Sequence, residues 1–229
     1  MANILITGAN RGIGLEFVRQ YAKDGARIFA TCRNPAKASE LHKIAAASGA
    51  RVSTHALDVT SADSVSAAAK ELASEPIDIL INNAGLGAGR NLHGHVDYDI
   101  WDAILHVNTI GPFRVAQAFR EHMLKSKTRM VITLSSALGS IALNYQGNHT
   151  YRSSKAAVNR VMHALSSEWQ GDGFLVVLLH PGWVKTDMGG PNATLPVEDS
   201  VSGMRKVIAG LKPKDNGRFL DYTGKEVPW

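Results

Sequence analysis

The sequence predicts an α/β protein built on one doubly wound parallel sheet of about seven strands, with helices on both faces. Three observations predict it. Strand-like and helix-like runs alternate along the 229 residues. Several of the strand-like runs are apolar at nearly every position, as strands covered on both faces are. A glycine-rich turn joins the first strand to the first helix.

The strands are expected at Ile4–Thr7, Arg27–Thr31, Val52–Leu57, Ile77–Asn82, Met130–Leu134, Phe174–His180 and near Arg218–Leu220. Amphipathic stretches of helical length lie between them, at Ile13–Lys23, Ala36–Ala47, Ser61–Ala73, Tyr98–Lys125, Tyr151–Trp169 and Val197–Leu211. That spacing makes βαβ units with right-handed crossovers. No linker, repeat or low-complexity segment divides the chain, so residues 1–229 are read as one domain.

Composition narrows the function classes. With 45% hydrophobic and 20% charged residues, the chain suits a soluble protein with a large core. It enters a strand-like run at Asn3 without a charged and apolar leader, so no secretory signal is expected. The longest apolar run, Phe174–Leu179, is far too short to span a bilayer. The one cysteine, Cys32, permits no intrachain disulfide. A cytoplasmic location with no membrane partner is therefore expected. The net charge of +5 is scattered, and its densest cluster, Lys125, Lys127 and Arg129, reads as a solvated helix end. No nucleic-acid partner is expected, and the histidines, His180 among them, lack metal-ligand spacing, so no metal is either.

The first crossover carries Thr7-Gly8-Ala9-Asn10-Arg11-Gly12-Ile13-Gly14. Glycines there permit a tight turn and let the backbone approach a pyrophosphate at the positive helix N-terminus. The spacing is Gly-x-x-x-Gly-x-Gly rather than Gly-x-Gly-x-x-Gly, but the strand–turn–helix context is that of a Rossmann-type dinucleotide site. An acidic residue about twenty positions on would mark NAD. Thr31-Cys32-Arg33-Asn34 stands there with no carboxylate. Arg33, with Arg11 as a second clamp, suits a 2′-phosphate, so NADP(H) is expected over NAD(H).

The other candidates fall at strand ends, where ligands of open α/β sheets bind. Asp58 follows the third strand, either as an acceptor for the adenine amino group or as a carboxylate before the helix at Ser61. Asn82-Asn83-Ala84-Gly85 closes the fourth, where Asn82 can satisfy buried backbone groups. Asn108, in a helix weakened by Gly111-Pro112, breaks a local rule as functional sites and kinks do. Ser135 and Ser136 end the fifth strand. Pro181-Gly182 turns the chain after the sixth, and Thr186 can bond a carboxamide. The glycine- and proline-rich stretch at 188–197 reads as a flap over the site.

Tyr151 and Lys155, four apart, share one helix face. A phenol ionises near pH ~10, and a cation beside it lowers that pKa; about three units require roughly 4 kcal/mol. The pair is expected to transfer protons once a nucleotide and a substrate oxygen lie alongside.

Together these residues closely resemble the short-chain dehydrogenase/reductase (SDR) family. The resemblance rests on Thr7-Gly8-x-x-x-Gly12-Ile13-Gly14, Asp58-Val59, Asn82-Asn83-Ala84-Gly85, Asn108, Ser136, Tyr151-x-x-x-Lys155 and Pro181-Gly182-x-Val184-x-Thr186. The Tyr151–Ala157 run and the Gly217–Tyr222 ending look most like its C-factor and Sniffer carbonyl reductase branch. The resemblance implies a tetrad of Asn108, Ser136, Tyr151 and Lys155. Tyr151 would be the acid/base, and Lys155 would lower its pKa and hold the nicotinamide ribose. Ser136 would orient the carbonyl, and Asn108 would anchor a water leading to Lys155. Ser136 is preferred to Ser135 because Gly139 follows it by three. The cofactor set so implied is Gly8, Asn10, Arg11, Gly12, Ile13, Gly14, Arg33, Asp58, Val59, Asn82, Ala84, Gly85, Tyr151, Lys155, Pro181, Gly182, Val184 and Thr186.

The expected reaction is hydride transfer between NADP(H) and a small aldehyde, ketone, quinone or alcohol. The alternative is an NADP(H)-binding sensor with little turnover. The wall of the substrate pocket is expected from 87–95, 138–145 and the flap. Val158, Met162, Leu165 and Trp169, with Val161 and Ala164 beside them, leave a face for a homodimer or homotetramer.

Overall fold

The structure is a computed structural model that describes residues 1–87 and 96–229. Seven strands form one parallel sheet in the order β3-β2-β1-β4-β5-β6-β7. They are β1 (Asn3–Ile6), β2 (Arg27–Cys32), β3 (Val52–Ala56), β4 (Ile79–Asn82), β5 (Met130–Leu134), β6 (Leu175–His180) and β7 (Phe219–Asp221). Each lies within two residues of its expected bounds.

Alternation along β1 shows how the layers are made. Ile4 and Ile6 point to one face and Leu5 to the other, all fully buried. Ile4 and Ile6 join Phe17 and Val18 of α1 (Gly12–Lys23), Leu41 of α2 (Ser39–Ala47), and Val201, Met204 and Ile208 of α8 (Val197–Gly210). Leu5 joins Val65 of α3 (Ala62–Glu71), Val115 of α5 (Gly111–Ala118), and Val158, Met162 and Leu165 of α7 (His149–Glu168). The sheet therefore has helices on both faces. The sequence order reverses between β1 and β4, and this switch point opens a crevice at the strands' carboxyl ends.

The expected helix Tyr98–Lys125 is divided. α4 (Tyr98–Leu105) passes into a π turn over His106–Ile110, followed by α5 and the short α6 (Arg120–Leu124). The break falls on the stretch where asparagine, glycine and proline weaken the ladder. Gly111 also fits a close approach, since a Cβ there would lie 2.9 Å from Val59 Cγ2. Pro112 lies in the first turn of α5, where its missing N–H is tolerated. Among the described residues no helix is long and apolar enough to cross a membrane.

Candidate active site

The parallel strands deliver their carboxyl ends to one rim. After β1 the chain turns through Gly8 at φ +64° and Gly12 at φ +53°, values that favour glycine. A Cβ on Gly8 would lie 2.9 Å from Ala84 Cα, so the turn lies directly against the loop after β4. A Cβ on Gly14 would lie 2.4 Å from both Asn83 Nδ2 and Gly8 O. Asn83 holds the two loops together, its Nδ2 donating to the carbonyls of Thr7 at 2.8 Å and Gly8 at 3.0 Å. Thr7 Oγ1 accepts from the N–H groups of Asn83 and Ala84, both at 3.0 Å. The sequence reading gave neither Thr7 nor Asn83 a task. Their pattern, a strand-end threonine facing Asn-Asn-Ala-Gly, becomes meaningful only once β1 and β4 are known to be neighbours.

α1 starts at Gly12 with Arg11 at its N-cap and no side-chain cap. Its first N–H groups have no partner from their own helix, and Asn10 and Arg11 are exposed beside them. This glycine cradle and open helix end fit a pyrophosphate. Arg33 stands exposed just beyond β2. Arg11 is also engaged within the chain: Nη1 lies 3.3 Å from Asp187, in the loop after β6, and both side chains are largely exposed.

Asp58 follows β3, and its Oδ1 accepts from Thr60 N at 2.9 Å and Thr60 Oγ1 at 2.7 Å. The N-cap of α3 is Ser61, not Asp58. Val59 is buried beneath α5, and its carbonyl accepts from Arg114. Asn82 has the structural duty suggested for it, Nδ2 donating to Pro112 O at 3.2 Å and Thr133 Oγ1 at 3.3 Å. Its Oδ1 is buried without a partner.

After β6, Gly182 adopts φ +86°, and Ser200 Oγ donates to Pro181 O at 2.6 Å. The segment from Trp183 to Leu195 closes on itself. Lys185 N donates to Leu195 O, and Leu195 N to Trp183 O. Trp183 Nε1 donates to Gly189 O at 2.9 Å. Val184 is buried, Thr186 Oγ1 accepts from Gly189 N at 3.2 Å, and Thr186 Cγ2 packs near Gly12. The side chain of Met188 leans over Gly85 and Gly87. The expected wall at 87–95 falls mostly on residues 88–95, which lie outside the described residues.

α7 brings Tyr151 and Lys155 to the same rim. The helix begins after Asn148, which takes a left-handed backbone at φ +53°. Lys155 is buried, its Nζ donating to Leu134 O at 2.9 Å and lying 5.6 Å from the centre of the Tyr151 ring. A Cβ on Gly139 would lie 2.7 Å from Lys155 C, so the turn after Ser136 packs directly on this helix. The two serines separate clearly. Ser135 Oγ is buried and donates to Asn159 Oδ1. Ser136 faces the Tyr151 phenol and accepts from Leu138 N at 3.2 Å.

Asn108, in the π turn, is buried and committed to the chain itself. Its Oδ1 accepts from Leu86 N at 2.8 Å, and its Nδ2 donates to Leu86 O at 2.9 Å and Ser154 Oγ at 3.0 Å. It ties the loop after β4 to α7 within one turn of Lys155.

In the chain without a cofactor, burial pushes Tyr151 up to about 12, the Ser136 hydroxyl opposing only part of it; the lowering expected from Lys155 belongs to the state with a nucleotide alongside. Burial likewise lowers Lys155 to about 8. For both groups desolvation is the leading cause, and the Lys155 ammonium is bonded to Leu134 O rather than to the phenol oxygen.

Comparison with known proteins places this geometry. A family model described as short chain dehydrogenase matches residues 2–194. C-signal of Myxococcus xanthus is 46% identical over 162 residues, covering 70% of this chain and 98% of that protein. The NADPH-bound carbonyl reductase from chicken fatty liver is 37% identical with a TM-score of 0.91, covering 100% of this chain and 99% of that one. The carbonyl reductase Sniffer of D. melanogaster is 32% identical with a TM-score of 0.94, covering all of both chains.

Proposed function

Because the chain belongs to the short-chain dehydrogenase/reductase family, we propose that it is an NADP(H)-dependent carbonyl reductase with Tyr151 as its acid/base. The observation that carries this reading is the meeting of Ser136, Tyr151 and Lys155 at the rim where the glycine cradle lies. The likeness to an NADPH-bound carbonyl reductase supports the choice of cofactor and of reaction class.

NADPH, when bound, supplies a hydride to the substrate carbonyl carbon. The Gly8–Gly14 turn and the start of α1 would hold its phosphates, with Arg11 and Arg33 on the 2′-phosphate. Asp58 has one carboxylate oxygen left for the adenine. Pro181, Gly182, Val184 and Thr186 would line the nicotinamide end. Ser136 orients the carbonyl oxygen and supports its developing negative charge. Tyr151, protonated at neutral pH, donates its phenolic proton to that oxygen. Lys155 then stabilises the phenolate left behind. Both Nδ2 hydrogens of Asn108 are used and Oδ1 has one lone pair left, so a water leading to Lys155 would be held by that lone pair or by the backbone of the π turn.

The substrate meets an apolar mouth, with Leu86, Ile141, Tyr145, Trp183 and Met188 all exposed around the rim loops. This favours an aldehyde, ketone or quinone with an apolar body. Self-association fits the α4 surface, where Tyr98 and Ile100 are exposed, beside the half-buried Val161 and Ala164 of α7. The Val158, Met162, Leu165 and Trp169 stripe itself packs on the sheet.

The test is NADPH oxidation against a panel of aldehydes, ketones and quinones, with binding of NADPH measured in parallel. Turnover supports the reductase. Tight binding with no turnover across the panel would favour the sensor instead.

A further inference from the structure

The loop that joins Ser136 to Tyr151 is fastened by a residue far from it in sequence. Ala142 N donates to Trp229 O at 2.9 Å, and Ser140 Oγ donates to the same carbonyl at 3.2 Å. Ser140 Oγ in turn accepts from Leu143 N at 3.1 Å. The Trp229 ring sets that carbonyl in place. It meets His163 of α7 edge-on at 5.0 Å between centroids and Phe219 of β7 at 5.6 Å. The backbone between Phe219 and Trp229 is itself held, Val227 N donating to Phe219 O at 2.8 Å.

On its other side the same loop is held by α7. Asn159 Nδ2 reaches Gly139 O at 3.5 Å, and Arg152 Nε reaches Leu138 O at 3.3 Å. Gly139 N closes the turn back onto Ser136 O at 2.8 Å. Ser136 therefore stands in a turn fastened to α7 on one side and to Trp229 on the other. Between the two residues bonded to Trp229 lies Ile141, an isoleucine left 83% exposed. Hydrogen bonds at both its neighbours hold it out beside the rim.

Resting on the reductase reading, we propose that Trp229 is a positioning residue for the reaction. It fixes the Ser140–Leu143 turn so that Ser136 keeps its place by Tyr151 and Ile141 forms part of the apolar wall met by the substrate. The cofactor loops lie on other elements and make none of these contacts.

The test compares wild type, Trp229→Ala and Trp229→Phe. Trp229→Ala should raise KM for an apolar carbonyl about tenfold, with a smaller fall in kcat and an unchanged Kd for NADPH. Trp229→Phe, which keeps an aromatic anchor, should restore most of the loss. Amide hydrogen exchange at Ala142 should accelerate at least tenfold in Trp229→Ala, while the amides of β5 stay protected. Should Trp229→Ala fail to fold, Ser140→Ala, which removes one of the two bonds, should show the same KM rise in smaller measure. Unchanged exchange at Ala142, or unchanged KM with exchange accelerated, would overturn the proposal. If no carbonyl is reduced by wild type, the reductase reading fails, and exchange at Ala142 still decides whether Trp229 holds the loop.

Discussion

Arg11 of the glycine turn and Asp187 form an ion pair at 3.3 Å, joining the loop after β1 to the loop after β6. Both side chains are exposed, so the pair is worth at most about 1 kcal/mol. Its importance lies in competition, because the same guanidinium is the proposed partner of a 2′-phosphate.

Arg11→Ala and Arg33→Ala should each weaken NADPH binding about tenfold or more, since a charge-assisted bond to phosphate is lost. NADH, which lacks that phosphate, should be nearly unaffected. Asp187→Asn should tighten NADPH by up to about fivefold, the limit set by an exposed pair. Titration of both nucleotides with each variant checks the set, and equal losses for NADH would place the arginines elsewhere.

Tyr151→Phe should retain NADPH binding and lower carbonyl reduction by about a thousandfold, the scale of a lost general acid. Stopped-flow measurement of NADPH oxidation reads the loss. Undiminished turnover would remove Tyr151 from the mechanism.

Lys155 gives a pH prediction for the cofactor-free protein. Its folded pKa, about 8, lies below its value in the unfolded chain, near ~10.4. Folding therefore disfavours the charged form. The penalty is fully present below about pH 8 and fades as pH rises from there towards ~10.4. Lys155→Met should be the more stable protein at neutral pH, by about 3 kcal/mol at most, with the gap closing over that window. Denaturant melts of the two proteins from pH 7 to 10 check it. A gap that widens with pH would mean the lysine is stabilised, not strained, by its site.

Gly139→Ala should lower stability by about 1–3 kcal/mol, because its Cβ would meet the backbone of Lys155 at 2.7 Å. The turn carrying Ser136 would be pushed from α7, so activity should fall more than NADPH affinity. Thermal melts paired with steady-state kinetics separate the two effects.

Much of the site was legible in the sequence because its residues are local to strand ends. The glycine turn needs glycine at positive φ, and strand–helix alternation puts Gly8, Asn82, Ser136 and Pro181 on one rim whatever the strand order. The weakness of the ladder around Asn108 was also readable, since Gly111-Pro112 cannot continue an ordinary helix with full bonding. The break's form as a π turn was not, nor was the close approach of Val59 to Gly111 across the layer.

By itself the sequence determined the layered fold, the nucleotide cradle and the shared helix face of Tyr151 and Lys155, because backbone geometry and hydrophobic periodicity are properties of neighbouring residues. Only the tertiary structure decided that Ser135 is bonded to Asn159, that Asn108 clamps Leu86 to Ser154, and that Trp229 holds the loop at Ser140. Burial and long-range hydrogen bonds arise from segments brought together by the sheet, and no local pattern records which distant carbonyl a buried lysine will meet.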